Sequence, residues 1–318
     1  LTGGFDAAAS EDERRRALEA EMSSSVRGIL AEGWHTEEDF GAVRLGLKID
    51  EVLHEETSPY QEIAVYQSGF FGRVLVLDGL VMLTERDEFV YHEMLIHVPL
   101  LSMEDPRRVL VIGGGDLGCV REILKHESVE QVVLCEIDER VTRVCQEFFP
   151  WAETALGDRR LKTVFDDGVA YVRNHPEAFD LVVIDSTDPV GPAVGLFLRE
   201  FYQEAAAGLK PGGVLTAQTE SPHYSPRLVG KIYTELRAAF SEVHAYLGFI
   251  PTYPSGCWSW AWASNHRRRG DFFDRARAER IAGSCRYYTP RLQEAAFVLP
   301  AFVREAVEGT SPSPSDGR

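Results

Sequence analysis

The chain has 318 residues, 44% of them hydrophobic, which is enough for one large α/β domain with a smaller partner domain. Its 33 basic and 50 acidic residues leave a formal charge of −17. That is the wrong sign for gripping a phosphate backbone, so no nucleic-acid partner is expected. No apolar run approaches the roughly 18 residues of a membrane span, and the first thirty residues lack the apolar stretch of a secretory signal. A cytoplasmic protein with no membrane partner is the expectation, and the acidity either keeps it soluble or favours cationic ligands.

In chain order, residues 1–32 read as a charged extension, with a helix from Glu11 to about Leu30 that has few apolar anchors. Residues 33–86 read as a small β domain. Val43, Leu45, Leu47 and Ile49 alternate, then Ile63, Val65 and Tyr66, then Val74, Val76 and Leu80, with turns at Ser68-Gly69 and Asp78-Gly79. Helical spacing over Asp87–Leu101 leads into a third unit, residues 87–308, where the pattern becomes alternating strands and helices. Its apolar runs are Val109–Ile112, Val132–Cys135, Leu161–Phe165, Leu181–Ile184, Val214–Ala217 and Trp258–Ala263. This is the pattern of a doubly wound, mostly parallel sheet, whose ligands sit beyond the carboxyl ends of the strands. Trp258, Trp260 and Trp262 read as core or interface, Arg267–Arg269 as a solvated turn, and the Ser/Pro-rich residues 309–318 as a disordered tail. The five cysteines have no metal-like spacing, so no metal is expected and the thiols read as reduced.

Three strand ends carry chemistry. Gly113-Gly114-Gly115-Asp116-Leu117-Gly118 follows the first parallel strand and opens a helix, and its glycines let backbone approach a ligand. Glu136 ends the second strand, where a carboxylate can accept both ribose hydroxyls. Asp166-Asp167-Gly168 ends the third, where Asp167 can accept from an adenine amino group; the plain alternative makes Glu136 and Asp167 helix caps. A dinucleotide enzyme would set a pyrophosphate on this loop, but Asp116 would repel it, so a cationic nucleoside donor of the S-adenosylmethionine kind fits better. The fourth strand ends in Asp185-Ser186-Thr187-Asp188-Pro189. Asp116, Asp185 and Asp188 converging without a matching basic cluster would repel one another, which is tolerable if cations fill the site.

These stretches, with Leu77-Asp78-Gly79, Thr84–Phe89, Tyr91-His92-Glu93, Gln218, Glu220-Ser221-Pro222, Pro251–Gly256 and Ala295–Pro300, resemble the spermidine synthase family in order from about Trp34 to Pro300. The resemblance implies a Rossmann-like methyltransferase-type domain behind a small N-terminal antiparallel β domain. It also implies an aminopropyltransferase that moves the aminopropyl group of decarboxylated S-adenosylmethionine to putrescine. No tightly bound cofactor is implied, only that co-substrate, in a homodimer or homotetramer. Carried over, Asp185 is the acid/base group, with Tyr91 and Tyr253 holding the amine. Asp188, Trp34 and Gln218 bind the rest of the diamine, and His92 stands near the donor. Gln61, Gly113, Gly115, Glu136, Asp167 and Gly168 hold the adenosine, and Asp116 its terminal ammonium, which also disfavours the carboxylate of ordinary S-adenosylmethionine. The alternatives are another acceptor (agmatine, cadaverine or spermidine), an amine N-methyltransferase on the same scaffold, or a non-catalytic polyamine binder. Leu117 stands where the family has a small residue and Met82 where it commonly has glutamine. Both changes are expected near the donor or acceptor pocket.

Overall fold

The computed structural model describes residues 10–22, 26–39, 43–187 and 191–311. Helix α1 (Glu11–Met22) is the first element among the described residues. The helix anticipated as far as Leu30 stops at Met22, and Val26–Ala31 forms strand β1 instead. The reason is local. Glu32 and Gly33 both adopt positive φ (52° and 74°), the geometry of a two-residue hairpin turn, and β2 (Trp34–Asp39) returns antiparallel across it. With β3 (Val43–Lys48) these make a three-stranded sheet. A second sheet of four antiparallel strands follows: β4 (Glu51–Thr57), β5 (Glu62–Ser68), β6 (Gly72–Leu77) and β7 (Leu80–Thr84). The single small sheet read from the sequence is therefore two. Strands β2 and β4 escaped notice because their residues are largely charged, so apolar alternation does not mark them.

Helix α2 (Glu88–Leu100) leads into the large domain and is buried along nearly its whole length. Its seven-stranded sheet has the order β10-β9-β8-β11-β12-β14-β13. The strands are β8 (Arg108–Gly113), β9 (Gln131–Glu136), β10 (Leu161–Phe165), β11 (Phe179–Asp185), β12 (Leu209–Gln218), β13 (Glu242–Phe249) and β14 (Cys257–Ser264). The first five are parallel; β14 runs antiparallel to β12 and β13 antiparallel to β14. Each predicted run falls inside one of these strands, and β13, with Glu242 and His244 among its apolar residues, is the one not anticipated. Near-continuous apolar runs such as Val109–Ile112 are fully enclosed because both faces carry helices, the physical reason such strands lose alternation.

Trp258, Trp260 and Trp262 are all buried, Trp262 donating from Nε1 to Ser102 Oγ, so they belong to the core. The arginine turn is solvated at Arg268 and Arg269, which are exposed, while Arg267 is half-buried. Arg267 donates to the carbonyls of Gly212 and Ser102, and the Arg269 guanidinium lies 4.5 Å from the Phe297 ring centre. Residues 312–318 of the tail lie outside the described residues.

Candidate active site

In the order above, β8 lies between β9 and β11, so the chain leaves the centre of the sheet in opposite directions, and a crevice opens at the strands' carboxyl ends. A cleft of about 1370 Å³, open to solvent, occupies that place. Gly113 lies at φ 78°, and a Cβ there would stand 2.2 Å from the Asp185 carbonyl, so only glycine allows β8 and β11 to end side by side. That closeness joins the two halves of the site.

On one side of the cleft, Glu136 accepts from the backbone N–H of Gly115 (3.1 Å) and of Asp138 (2.9 Å). Burial pushes its carboxyl up to about 7, with Asp138 adding to the rise and the backbone donors opposing it. Asp167 does cap a helix, accepting from Val169 N at 2.9 Å to start α6 (Gly168–Arg173), and still lines the cleft. Gln61 also lines it and donates from Nε2 to Asp138 Oδ2 at 2.9 Å, so the β domain is tied to the end of β9. Gly115 and Gly168 line the same wall. A carboxylate, a second carboxylate one strand over and a close-approach glycine loop form a surface suited to a nucleoside.

On the other side, Asp185 ends β11 and is 91% buried, being 9% exposed. Tyr91, from α2, donates its hydroxyl to Asp185 Oδ1 at 2.8 Å. Among the described residues, Asp185 Oδ2 has no hydrogen-bond partner. Burial raises the Asp185 pKa and the charge of Asp116 raises it further, against the opposing pull of His92 and of the Cys119 and Tyr91 donors. A buried carboxylate with one oxygen fixed and the other buried without a partner is a group ready to accept a proton.

The acidic set does not stand without basic partners, contrary to the sequence reading. His92 is buried, its Nδ1 2.6 Å from Glu88 Oε2 and its Nε2 3.3 Å from Asp116 Oδ1. Burial opposes its charge, but Asp116 and Glu88 outweigh burial and push its pKa up to about 10. Arg121 donates to both Glu88 oxygens, at 2.9 and 2.8 Å. Asp116 is therefore held low by the His92 charge and by the Gly118 N–H at 2.7 Å, against burial. Trp151 Nε1 donates to the Asp116 carbonyl at 2.9 Å and fixes the loop. Sequence reasoning missed Glu88, Arg121, Cys119 and Trp151. The spacing of Glu88 and His92, four apart on one helix, was the available signal.

Several assigned residues fall elsewhere. Trp34 is 49% exposed on β2, with the Lys48 ammonium 5.6 Å from its ring centre, and does not line the cleft because the β1–β2 hairpin turns it outward. Gln218 is buried at the end of β12, holding the Ser186 carbonyl and Glu220 from behind the lining layer. Asp188 lies outside the described residues. Tyr253 lines the cleft beside Tyr91, ring centres 6.1 Å apart, but its hydroxyl donates to the Met82 carbonyl at 2.6 Å. Met82 lines the cleft as expected, whereas Leu117 does not. At φ 66° Leu117 takes the left-handed conformation that glycine adopts freely, and its side chain is wholly buried in the core beneath the loop.

The parallel sheet, glycine loop and strand-end carboxylates define a nucleoside-using transferase with a methyltransferase-like central sheet. Residues 88–272 match the spermine/spermidine synthase domain, and residues 33–85 match the spermidine synthase tetramerisation domain. A polyamine aminopropyltransferase of Thermoanaerobacter pseudethanolicus is 45% identical over 272 residues, covering 86% of this chain and 97% of that protein. One from Moorella thermoacetica is 44% identical over 283 residues, covering 89% and 98%. A crystal structure of spermidine synthase in complex with the transition-state analogue AdoDATO superimposes with a TM-score of 0.84 at 38% identity, covering 87% of this chain and 96% of that one. Spermidine synthase from Thermotoga maritima gives 0.82 at 38% identity, covering 86% and 94%. The chain belongs to the spermine/spermidine synthase family and is an aminopropyltransferase.

Proposed function

We propose that this enzyme moves the aminopropyl group of decarboxylated S-adenosylmethionine to putrescine, giving spermidine and methylthioadenosine. The observation that carries the reading is the state of Asp185: buried, one oxygen held by Tyr91, the other without a partner, in a cleft that also holds Glu136 and Asp167. The sulfonium donor is already activated for displacement, so the enzyme's task is the nucleophile. A primary amine with a pKa near 10 is mostly protonated at pH 7, and reversing that costs roughly 4 kcal/mol. Asp185 takes the proton while Tyr91 fixes the carboxylate's direction, and alignment of amine, carbon and sulfur supplies much of the remaining acceleration. Tyr253 shapes the amine's wall. Glu136 and Asp167 hold the ribose and adenine, and Asp116 holds the donor's ammonium, sharing its charge with His92.

The tetramerisation-domain match supports an oligomer, which we propose to be a homodimer or homotetramer; Trp34, Tyr60 and Phe70 expose their rings on that domain. Five free cysteines, and no helix long and apolar enough to cross a membrane among the described residues, support a cytoplasmic setting.

The test is a product assay that pairs intact and decarboxylated S-adenosylmethionine with putrescine, agmatine, cadaverine and spermidine. The expected result is turnover with the decarboxylated donor and highest kcat/KM with putrescine. A higher kcat/KM with another amine would reassign the acceptor.

A further inference from the structure

Both family matches begin at or after residue 33, so helix α1 lies outside them. It nevertheless packs on the large domain, against α8 (Pro226–Ala239) and against the short 3₁₀ helix Gly191–Phe197. Leu18 is wholly buried, in the same core cluster as Val194 and Phe197 of that 3₁₀ helix. Arg14 is only 4% exposed; it pairs with Glu200, three residues after the 3₁₀ helix ends and the second residue of α7 (Arg199–Gly208), and its Nε lies 3.6 Å from the fully buried Glu235 of α8. Lys231 of α8 donates to the Ala17 carbonyl at 2.8 Å. Arg15 lies over Gly195: a Cβ there would be 3.9 Å from its Nη2. The few anchors of this charged helix are thus buried against the large domain.

Other residues of the 3₁₀ helix face the cleft. Ala193 and Leu196 line the cleft. Leu196 packs on the same core cluster as Val169, which follows Asp167 and Gly168 at the end of β10 and also lines the cleft. The 3₁₀ helix therefore forms part of the nucleoside wall, with substrate on one side and α1 on the other. A 3₁₀ helix of seven residues has poor internal hydrogen bonding and takes its rigidity from what it packs against.

We propose that α1 is a positioning element for the donor: Leu18 and Arg14, through Val194, Phe197 and Glu200, hold the 191–197 wall against the adenosine. The proposal rests on the nucleoside reading of the cleft for its affinity prediction, but not for its prediction about the wall itself.

The experiment compares the full chain with Leu18→Ala and Arg14→Gln, and with Val303→Ala as control. Val303 is wholly buried in the same cluster, on α11 (Ala301–Val307), which packs on α8 away from the cleft. Hydrogen exchange over residues 193–197 reports the wall, and calorimetric titration with methylthioadenosine reports the nucleoside site. The α1 variants are expected to speed exchange there roughly tenfold and to weaken methylthioadenosine about three- to tenfold, while Val303→Ala lowers Tm without either effect. Unchanged exchange in both α1 variants overturns the proposal. Faster exchange with unchanged methylthioadenosine affinity also overturns it, since the wall would then not be positioned for the ligand. Failure of methylthioadenosine to bind the unsubstituted chain would instead count against the nucleoside reading, and the exchange result would still decide whether α1 holds the wall.

Discussion

His92 and Asp116 face each other across 3.3 Å, imidazole Nε2 to carboxylate Oδ1, with Glu88 2.6 Å from the other ring nitrogen. An imidazole between two carboxylates in a buried place keeps its proton far above the usual histidine range, up to about 10 although burial opposes the charge. The folded pKa thus exceeds the unfolded value near 6.5. The stabilisation is complete below about pH 6.5 and is lost progressively as pH rises toward and through 10.

Denaturant unfolding from pH 6 to pH 10 is expected to show the intact protein losing of order a few kcal/mol over that window. In His92→Gln the decline flattens, and stability at pH 6.5 falls because Asp116 loses its charged partner. A slope that the substitution leaves unchanged would mean that other groups set the alkaline limb.

Glu136 gives a separable pH effect. Its carboxyl is lifted to about 7 by burial, and in the proposed role it must ionise to accept two ribose hydroxyls. Methylthioadenosine, which carries no ammonium, is therefore expected to bind more tightly as pH rises from 6 through 7, then level off, gaining up to about tenfold per unit below the midpoint. Glu136→Gln should bind weakly at every pH with no such slope. Calorimetric titrations across pH 5.5 to 8.5 read both.

Leu117 is a case of opposing terms. Its left-handed backbone costs roughly 1 kcal/mol that glycine would not pay, while its fully buried side chain contributes more than that. Leu117→Gly is expected to destabilise the protein by about 1–3 kcal/mol in urea unfolding. Methylthioadenosine affinity should stay within about twofold, because the side chain lies in the core beneath the loop and not in the cleft.

Much of this was legible in the residues. The parallel strands announced themselves as continuous apolar runs because both sheet faces are covered. Glu136, Asp167 and Asp185 stood at or just beyond strand ends, and all three line the cleft. Charge pairing was not legible, because it depends on which side chains meet across elements. His92 on α2 reaching Asp116 after β8 is a contact between residues 24 apart in sequence, and no local pattern shows that the acidic set is partly neutralised. Trp34 misled for a related reason: its place in the chain matched, but the hairpin at Glu32-Gly33 decides which way it faces. Leu117 read as bulk beside a ligand because sequence gives the loop position and not the φ that turns the side chain inward.

In the proposed mechanism Asp185 removes the amine's proton and does little for donor binding. The direct measurement is single-turnover kinetics of Asp185→Asn with decarboxylated S-adenosylmethionine and putrescine, beside its methylthioadenosine dissociation constant. The rate is expected to fall at least about a hundredfold, with a dissociation constant within about threefold of the unsubstituted enzyme. A rate within a few-fold of normal would contradict it.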